Sequence, residues 1–141
     1  MITLIGADFG KQLIPLIDEA KKNIEIVSYD WRWYADQNGH PVQQFNMAIV
    51  RAVQRGVLVR AVLNSSDLLP LLTKLNIRAR CMKDKRTLHA KMILIDGKTL
   101  VIGSHNITRN AFTHNVEVSV VVEIPPEVTR LAEFFENLYN I

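Results

Sequence analysis

The chain has 141 residues, 48% of them hydrophobic and 22% charged, which is the composition of a folded globular protein and excludes a disordered or collagen-like one. Seventeen basic against fourteen acidic side chains leave a net charge of +3, so contact with a polyanion is permitted but not required. A single cysteine, Cys81, rules out an intramolecular disulfide, and no run approaches the ~18 apolar residues of a membrane span.

Met1 to Gly10 lacks the basic start of a signal peptide, and Asp8, Lys11, Asp18 and Glu19 interrupt any apolar core of one. The expectation is therefore one cytoplasmic domain over residues 1–141. Phe9, Leu13, Leu16, Ile17 and Ala20 recur at helical spacing, which predicts a helix over 8–22 with Asp8 as N-cap and a kink or later start at Pro15. Residues 23–29 alternate as a strand. They lead into Trp31-Arg32-Trp33-Tyr34, either a stacking surface for bases, a cleft wall, or a cap on the core or a subunit contact, and then a polar loop holding His40, either solvent-exposed or at the cleft rim. Phe45, Ala48, Ile49, Ala52 and Val53 define a helix over 42–55 that Gly56 stops, with Arg51 and Arg55 on its solvated side. A strand over 57–63, a short helix to Leu75 capped by Ser65 or Ser66, and a strand over 76–82 follow. Cys81 reads as a buried, inert thiol. This alternation of helix and strand is that of an α/β fold. Lys83-Asp84-Lys85-Arg86, with Arg78 and Arg80 nearby, is the most basic stretch; it is either a solvated loop or a guide for a phosphate backbone.

Leu88 to Gly103 reads as a hairpin. Residues 88–95 alternate, Asp96-Gly97 supplies a two-residue turn, and Lys98 to Gly103 returns. In that register Ile95 faces Lys98, and counting back puts His89 opposite Ser104. His89 and Lys91 share a sheet face about 7 Å apart. An imidazole, an ammonium and a hydroxyl then converge, with Asn106 in reach from the loop. Such a set suits a phosphodiester: Lys91 neutralises the anion, Ser104 and Asn106 donate to its oxygens, and His89 attacks phosphorus or moves a proton. It calls for no metal and no cofactor. Asp96 lies about 23 Å from His89 along an extended strand, so it is a turn residue or a hairpin support and not a proton carrier.

Beyond the hairpin, 107–115 reads as a loop with Arg109, and His105 and His114 line or flank the cleft. Val116 to Ile124 is apolar enough for a central strand, and Pro125-Pro126 opens a final helix with Val128, Leu131, Ala132, Phe135 and Leu138 facing inward. His89, His105, His114 and Glu117 match no structural zinc spacing, and Lys91 would repel a metal beside it.

His89-x-Lys91-x4-Asp96 followed by Gly103-Ser104-x-Asn106 resembles the signature of the phospholipase D superfamily. The resemblance implies a mixed β-sheet flanked by helices on both faces, and Glu117 as the carboxylate that orients the histidine through its other ring nitrogen. Family members use two such motifs around one site, whereas this chain carries one. A homodimer that pairs two copies of His89 and Lys91 would make up the shortage. The small one-motif members are dimeric bacterial endonucleases, which implies a metal-independent nuclease working through a phosphohistidine. Alternative readings are phospholipid hydrolysis or headgroup transfer, and a catalytically silent nucleic-acid-binding dimerisation module. No amphipathic membrane-facing segment stands out, so stable membrane association is not expected.

Overall fold

The computed structural model describes residues 1–141. Seven strands form one mixed sheet: β1 (Ile2–Ile5), β2 (Asn23–Ser28), β3 (Leu58–Leu63), β4 (Arg78–Cys81), β5 (Met92–Ile95), β6 (Thr99–Gly103) and β7 (Val118–Val122). They lie in the order β1-β7-β6-β5-β2-β3-β4. The parallel half, β2 to β4, is built by crossovers through α2 (Pro41–Gln54) and α3 (Leu69–Lys74). The other neighbours are antiparallel. β2 is buried at Ile24, Glu25, Ile26, Val27 and Ser28, the near-continuous run expected of a strand covered on both faces.

One face of the sheet packs on α1 (Asp8–Asp18), α2, α3 and the short α4 (Arg109–Thr113), through Leu13, Ile17, Phe45, Ile49, Leu72 and Phe112. The other face carries α5 (Pro125–Tyr139), whose Val128 and Phe135 close over Val27, Val62, Met92, Leu94 and Leu100. This is the helix-covered mixed sheet that the resemblance implies. Under α5, burial pushes the Glu25 carboxyl up to about 7 against the opposing pull of Arg60. The Arg60 guanidinium is bridged to Glu136 and lies 5.0 Å from the Phe135 ring centre.

Several local expectations change. β1 is an unpredicted strand, its Ile2-Thr3-Leu4-Ile5 run zipping antiparallel onto β7. Helix α1 ends at Asp18, with Ala7 and not Asp8 at its N-cap, and Leu68 replaces the serines before α3. Residues 107–115 are not all loop, because the Thr108 hydroxyl accepts from Ala111 N–H at 3.3 Å and starts α4. His40 is not a free loop residue either. Its Nδ1 accepts from Val42 N–H as the N-cap of α2, and its ring stacks on Tyr34 at 3.9 Å.

The hairpin register shifts by one. Ile95 pairs with Thr99 and Met92 with Ile102, so Lys98 falls outside the ladder. Asp96 and Gly97 both take positive φ, 54° and 64°, and Lys98 becomes an extra residue after the turn they make. Lys91 accordingly meets Gly103, whose N–H donates to Lys91 O at 3.4 Å. His89 is not paired across a ladder with Ser104, because β5 begins only at Met92.

Candidate active site

The carboxyl ends of β2, β3 and β4 and the segment entering β5 share one edge of the sheet. This is the end of an open α/β sheet at which ligands bind, near the point where strand direction reverses. His89 and Lys91 sit there in the irregular segment just before β5. Asn64 at the end of β3 fixes that chain by accepting Leu88 N–H at 2.8 Å.

Lys91 Nζ donates to His89 O at 2.7 Å and stands 3.2 and 3.3 Å from the two ring nitrogens of His89. Equal distances put the ammonium over the imidazole face, since an in-plane position would collide with the carbon between the nitrogens. The in-plane lone pair of His89 is thus left open. Tyr29, just past β2, closes another side with its ring centre 5.6 Å from that of His89 and 6.0 Å from Lys91 Nζ. Burial lowers the Lys91 ammonium from its ordinary value, while the negative charge of Glu117 opposes that shift. The lysine is therefore a partly desolvated cation, which strengthens its pull on an anion.

Ser104 and Glu117 form a unit of their own. The Ser104 hydroxyl donates to Glu117 Oε1 at 2.5 Å and accepts Val118 N–H at 3.1 Å, and Asn115 Nδ2 donates to Glu117 Oε2 at 3.0 Å. Within one chain Glu117 is therefore bonded to Ser104 and Asn115, and not to the His89 ring. The single Ser104 proton is committed to the carboxylate and is not free for a phosphate. Gly103 is required by close approach: a Cβ there would lie 2.2 Å from Ser119 Oγ and 2.4 Å from Ser119 Cα. Asn106 Oδ1 accepts Asp30 N–H at 3.3 Å, which ties its loop to the end of β2.

Asp96 occupies the other end of β5. Its two oxygens accept the backbone N–H groups of Lys21, Lys22 and Asn23 at 2.7 to 3.2 Å, clamping the start of β2. Burial raises its carboxyl, but those three donors and the Lys22 charge overcome this and hold it below its usual value. His105 does not line the cleft. It is buried and stacked on Phe9, with Nε2–H donating to Gly6 O at 2.9 Å and Nδ1 accepting from the Ser119 hydroxyl at 2.8 Å. His114 lies exposed after α4, so the four-residue zinc set of His89, His105, His114 and Glu117 is not assembled. Tyr29 and Asn64 join the site without having been singled out; the only sequence signal for them is their position at the ends of two apolar strands.

A family model described as cardiolipin synthase, PLD-like domain, matches residues 13–139. The mouse mitochondrial cardiolipin hydrolase is 33% identical over 104 residues, covering 69% of this chain and 47% of that protein. A phospholipase D of Rickettsia felis is 30% identical over 113 residues, covering 76% of this chain and 52% of its own length. The chain thus spans about half the length of these curated relatives. Among solved structures, the phospholipase D family member Nuc of Salmonella typhimurium superposes with TM-score 0.81 at 24% identity, covering 99% of this chain and 94% of Nuc. NucT of Helicobacter pylori gives 0.79 at 17%, with the same coverage; these two likenesses speak to the fold. Sheet, helices and motif together define a phospholipase D-like α/β protein. The chain belongs to the phospholipase D-like phosphodiesterase superfamily.

Proposed function

We propose that this protein is a metal-independent phosphodiesterase that cleaves nucleic acid, DNA first, in a site shared by two copies of the chain. The observation that carries the reading is the exposed His89 ring with Lys91 Nζ over its face and its in-plane lone pair open. A ring nitrogen of one His89 attacks phosphorus. The N–P bond forms as the bond to the leaving oxygen breaks, and His89 of the second copy gives that oxygen its proton. The second histidine then takes a proton from water, whose oxygen displaces the first and breaks the N–P bond. The two Lys91 ammoniums neutralise the non-bridging oxygens, and the Asn106 amide donates to one of them. Ser104 holds Glu117 in place, Asp96 and Gly103 support the fold around the site, and no cofactor takes part.

One chain brings a single free imidazole to this edge, which is why two copies are needed. The chain also exposes apolar side chains around it: Val116 and Val118 flank Glu117, and Phe134 of α5 is 39% exposed. A two-fold axis beside Ser104 would cover them and bring both His89 rings together. A second reading, phospholipid hydrolysis or headgroup transfer, is favoured by a recess of about 480 Å³ beside His89 lined by Ala90, Met92, Ile102, Leu131 and Phe134. The test is turnover of bis(4-nitrophenyl) phosphate, labelled DNA and RNA, and cardiolipin vesicles in chelator, alongside solution mass. The expected result is a dimer that cuts the phosphodiester and DNA, and an inactive His89→Ala protein; activity that survives this substitution would refute the reading.

A further inference from the structure

A second cleft, of about 370 Å³, opens beside the histidine and runs across the carboxyl ends of β2 and β3. Tyr29 forms part of its wall, and the same ring lies 5.6 Å, centre to centre, from that of His89, so the cleft begins one side chain away from the histidine. Its volume is within the range of small-ligand sites. Its chemistry differs from that of the histidine–lysine patch. Tyr29 and Trp33 supply flat apolar surface, Arg32 and Asn64 carry N–H donors, and Asp30 and Asp67 carry carboxylate acceptors. Asp30 is paired with Arg32 at 2.8 Å, whereas Asp67 makes no direct ion pair and acts on Arg32 only through its charge at longer range. Asn64 is held by its oxygen, which accepts from Leu88, while its two amide hydrogens are unclaimed by the protein.

A pocket with two carboxylates and one arginine repels a phosphate or an acidic headgroup. It suits an uncharged planar ring whose edge offers both N–H donors and acceptors, because aromatic walls take its faces and the polar side chains its edge. The unpaired cations Lys83 and Lys85 lie elsewhere, on the exposed segment that leads to His89, where a phosphate backbone would run.

We propose that this cleft is a nucleobase subsite: it receives the base next to the phosphate held at His89 and so selects an unpaired strand. The assignment rests on the nuclease reading above. A base inside a duplex must be unstacked and unpaired to enter, at a cost of a few kcal/mol, so single strands should be cut at least tenfold faster than duplexes.

The experiment compares thymidine 5′-(4-nitrophenyl) phosphate with bis(4-nitrophenyl) phosphate, which share a leaving group and differ in the base, together with binding of fluorescein-labelled hexathymidylate followed by anisotropy. Trp33→Leu and Asp67→Ala should each lower the preference in kcat/KM for the thymidine ester at least fivefold, mostly through KM, and weaken hexathymidylate binding. Asp67 is exposed and its side chain makes no hydrogen bond or direct ion pair, so its variant keeps the fold intact even if Trp33→Leu does not. Unchanged preference and binding in Asp67→Ala and Trp33→Leu would overturn the subsite, as would cleavage of cardiolipin vesicles in place of the thymidine ester. If the unmutated protein turns over neither ester, the hydrolase reading falls, and hexathymidylate binding alone then judges the cleft: loss of binding in the variants supports it and retention refutes it.

Discussion

The two ends of β5 carry the two halves of one sequence signature and spend their polar groups in opposite ways. At one end His89 is exposed, its ring beside the Lys91 ammonium and the Tyr29 ring, with an in-plane lone pair open. At the other, Asp96 gives both oxygens to three backbone N–H groups of residues 21–23. Unsatisfied groups cost stability and are kept for chemistry, whereas satisfied ones contribute to stability and are unavailable for it. Residues adjacent in a motif can therefore differ in kind, and substitution should separate them.

The largest separation is expected at His89. His89→Ala should lower kcat on a phosphodiester at least about 10⁴-fold, as when a nucleophile is removed, and leave the melting temperature within about 2 °C because the side chain is exposed. Lys91→Met comes next, with about 10²- to 10³-fold lost in kcat from one missing charge-stabilising donor. Removal of a partly desolvated ammonium should leave stability unchanged or slightly raised. Asp96→Ala should behave in the reverse sense: about 2–3 kcal/mol of stability lost on denaturant unfolding, with the chemical step in the surviving folded fraction changed less than fivefold. A catalytic loss at Asp96 equal to that at His89 would erase the distinction between the two ends.

pH sharpens the same contrast. The folded-state carboxyl of Asp96 lies below its unfolded value, so its contribution is present above the unfolded pKa and is lost as pH falls through the folded one. The stability gap between the unmutated protein and Asp96→Asn should therefore narrow on acidification below about pH 4. Glu25, under α5, has the opposite sign. Its folded pKa of about 7 exceeds its ordinary 4.5, so its stabilisation is complete below 4.5 and is lost as pH rises through 7. Glu25→Gln should flatten that decline and gain about 1–2 kcal/mol over the unmutated protein at pH 8, the smallest of these effects. Thermal melts from pH 4 to 9 check both.

Much of this organisation was legible in the residues. The alternation of Ile24, Ile26 and Ser28 and the helical spacing of Phe45, Ala48, Ile49 and Ala52 marked a strand and a helix of the core, and His89-x-Lys91 marked a pair that the structure places in contact. What escaped depended on contacts distant in sequence. β1 is a strand because β7 offers it an edge, which Ile2 to Ile5 cannot declare alone. The one-residue slip of the hairpin follows from the positive φ of Asp96 and Gly97, which leaves Lys98 out of the ladder. His105 carries the same letter as an active-site histidine; only Gly6, Ser119 and Phe9, which fold onto it, make it structural. Ser104 reads as a phosphate donor until Glu117, thirteen residues away, is seen to accept its hydrogen bond.

If two chains share one phosphorus-attacking site, covalent labelling should stop at half of the chains. Brief reaction with bis(4-nitrophenyl) phosphate, alkaline quenching and intact-mass and peptide analysis should yield one (4-nitrophenyl)phosphoryl adduct per two chains, on His89, with one 4-nitrophenolate released for each. One adduct on every chain, or an adduct on any other residue, would contradict the account.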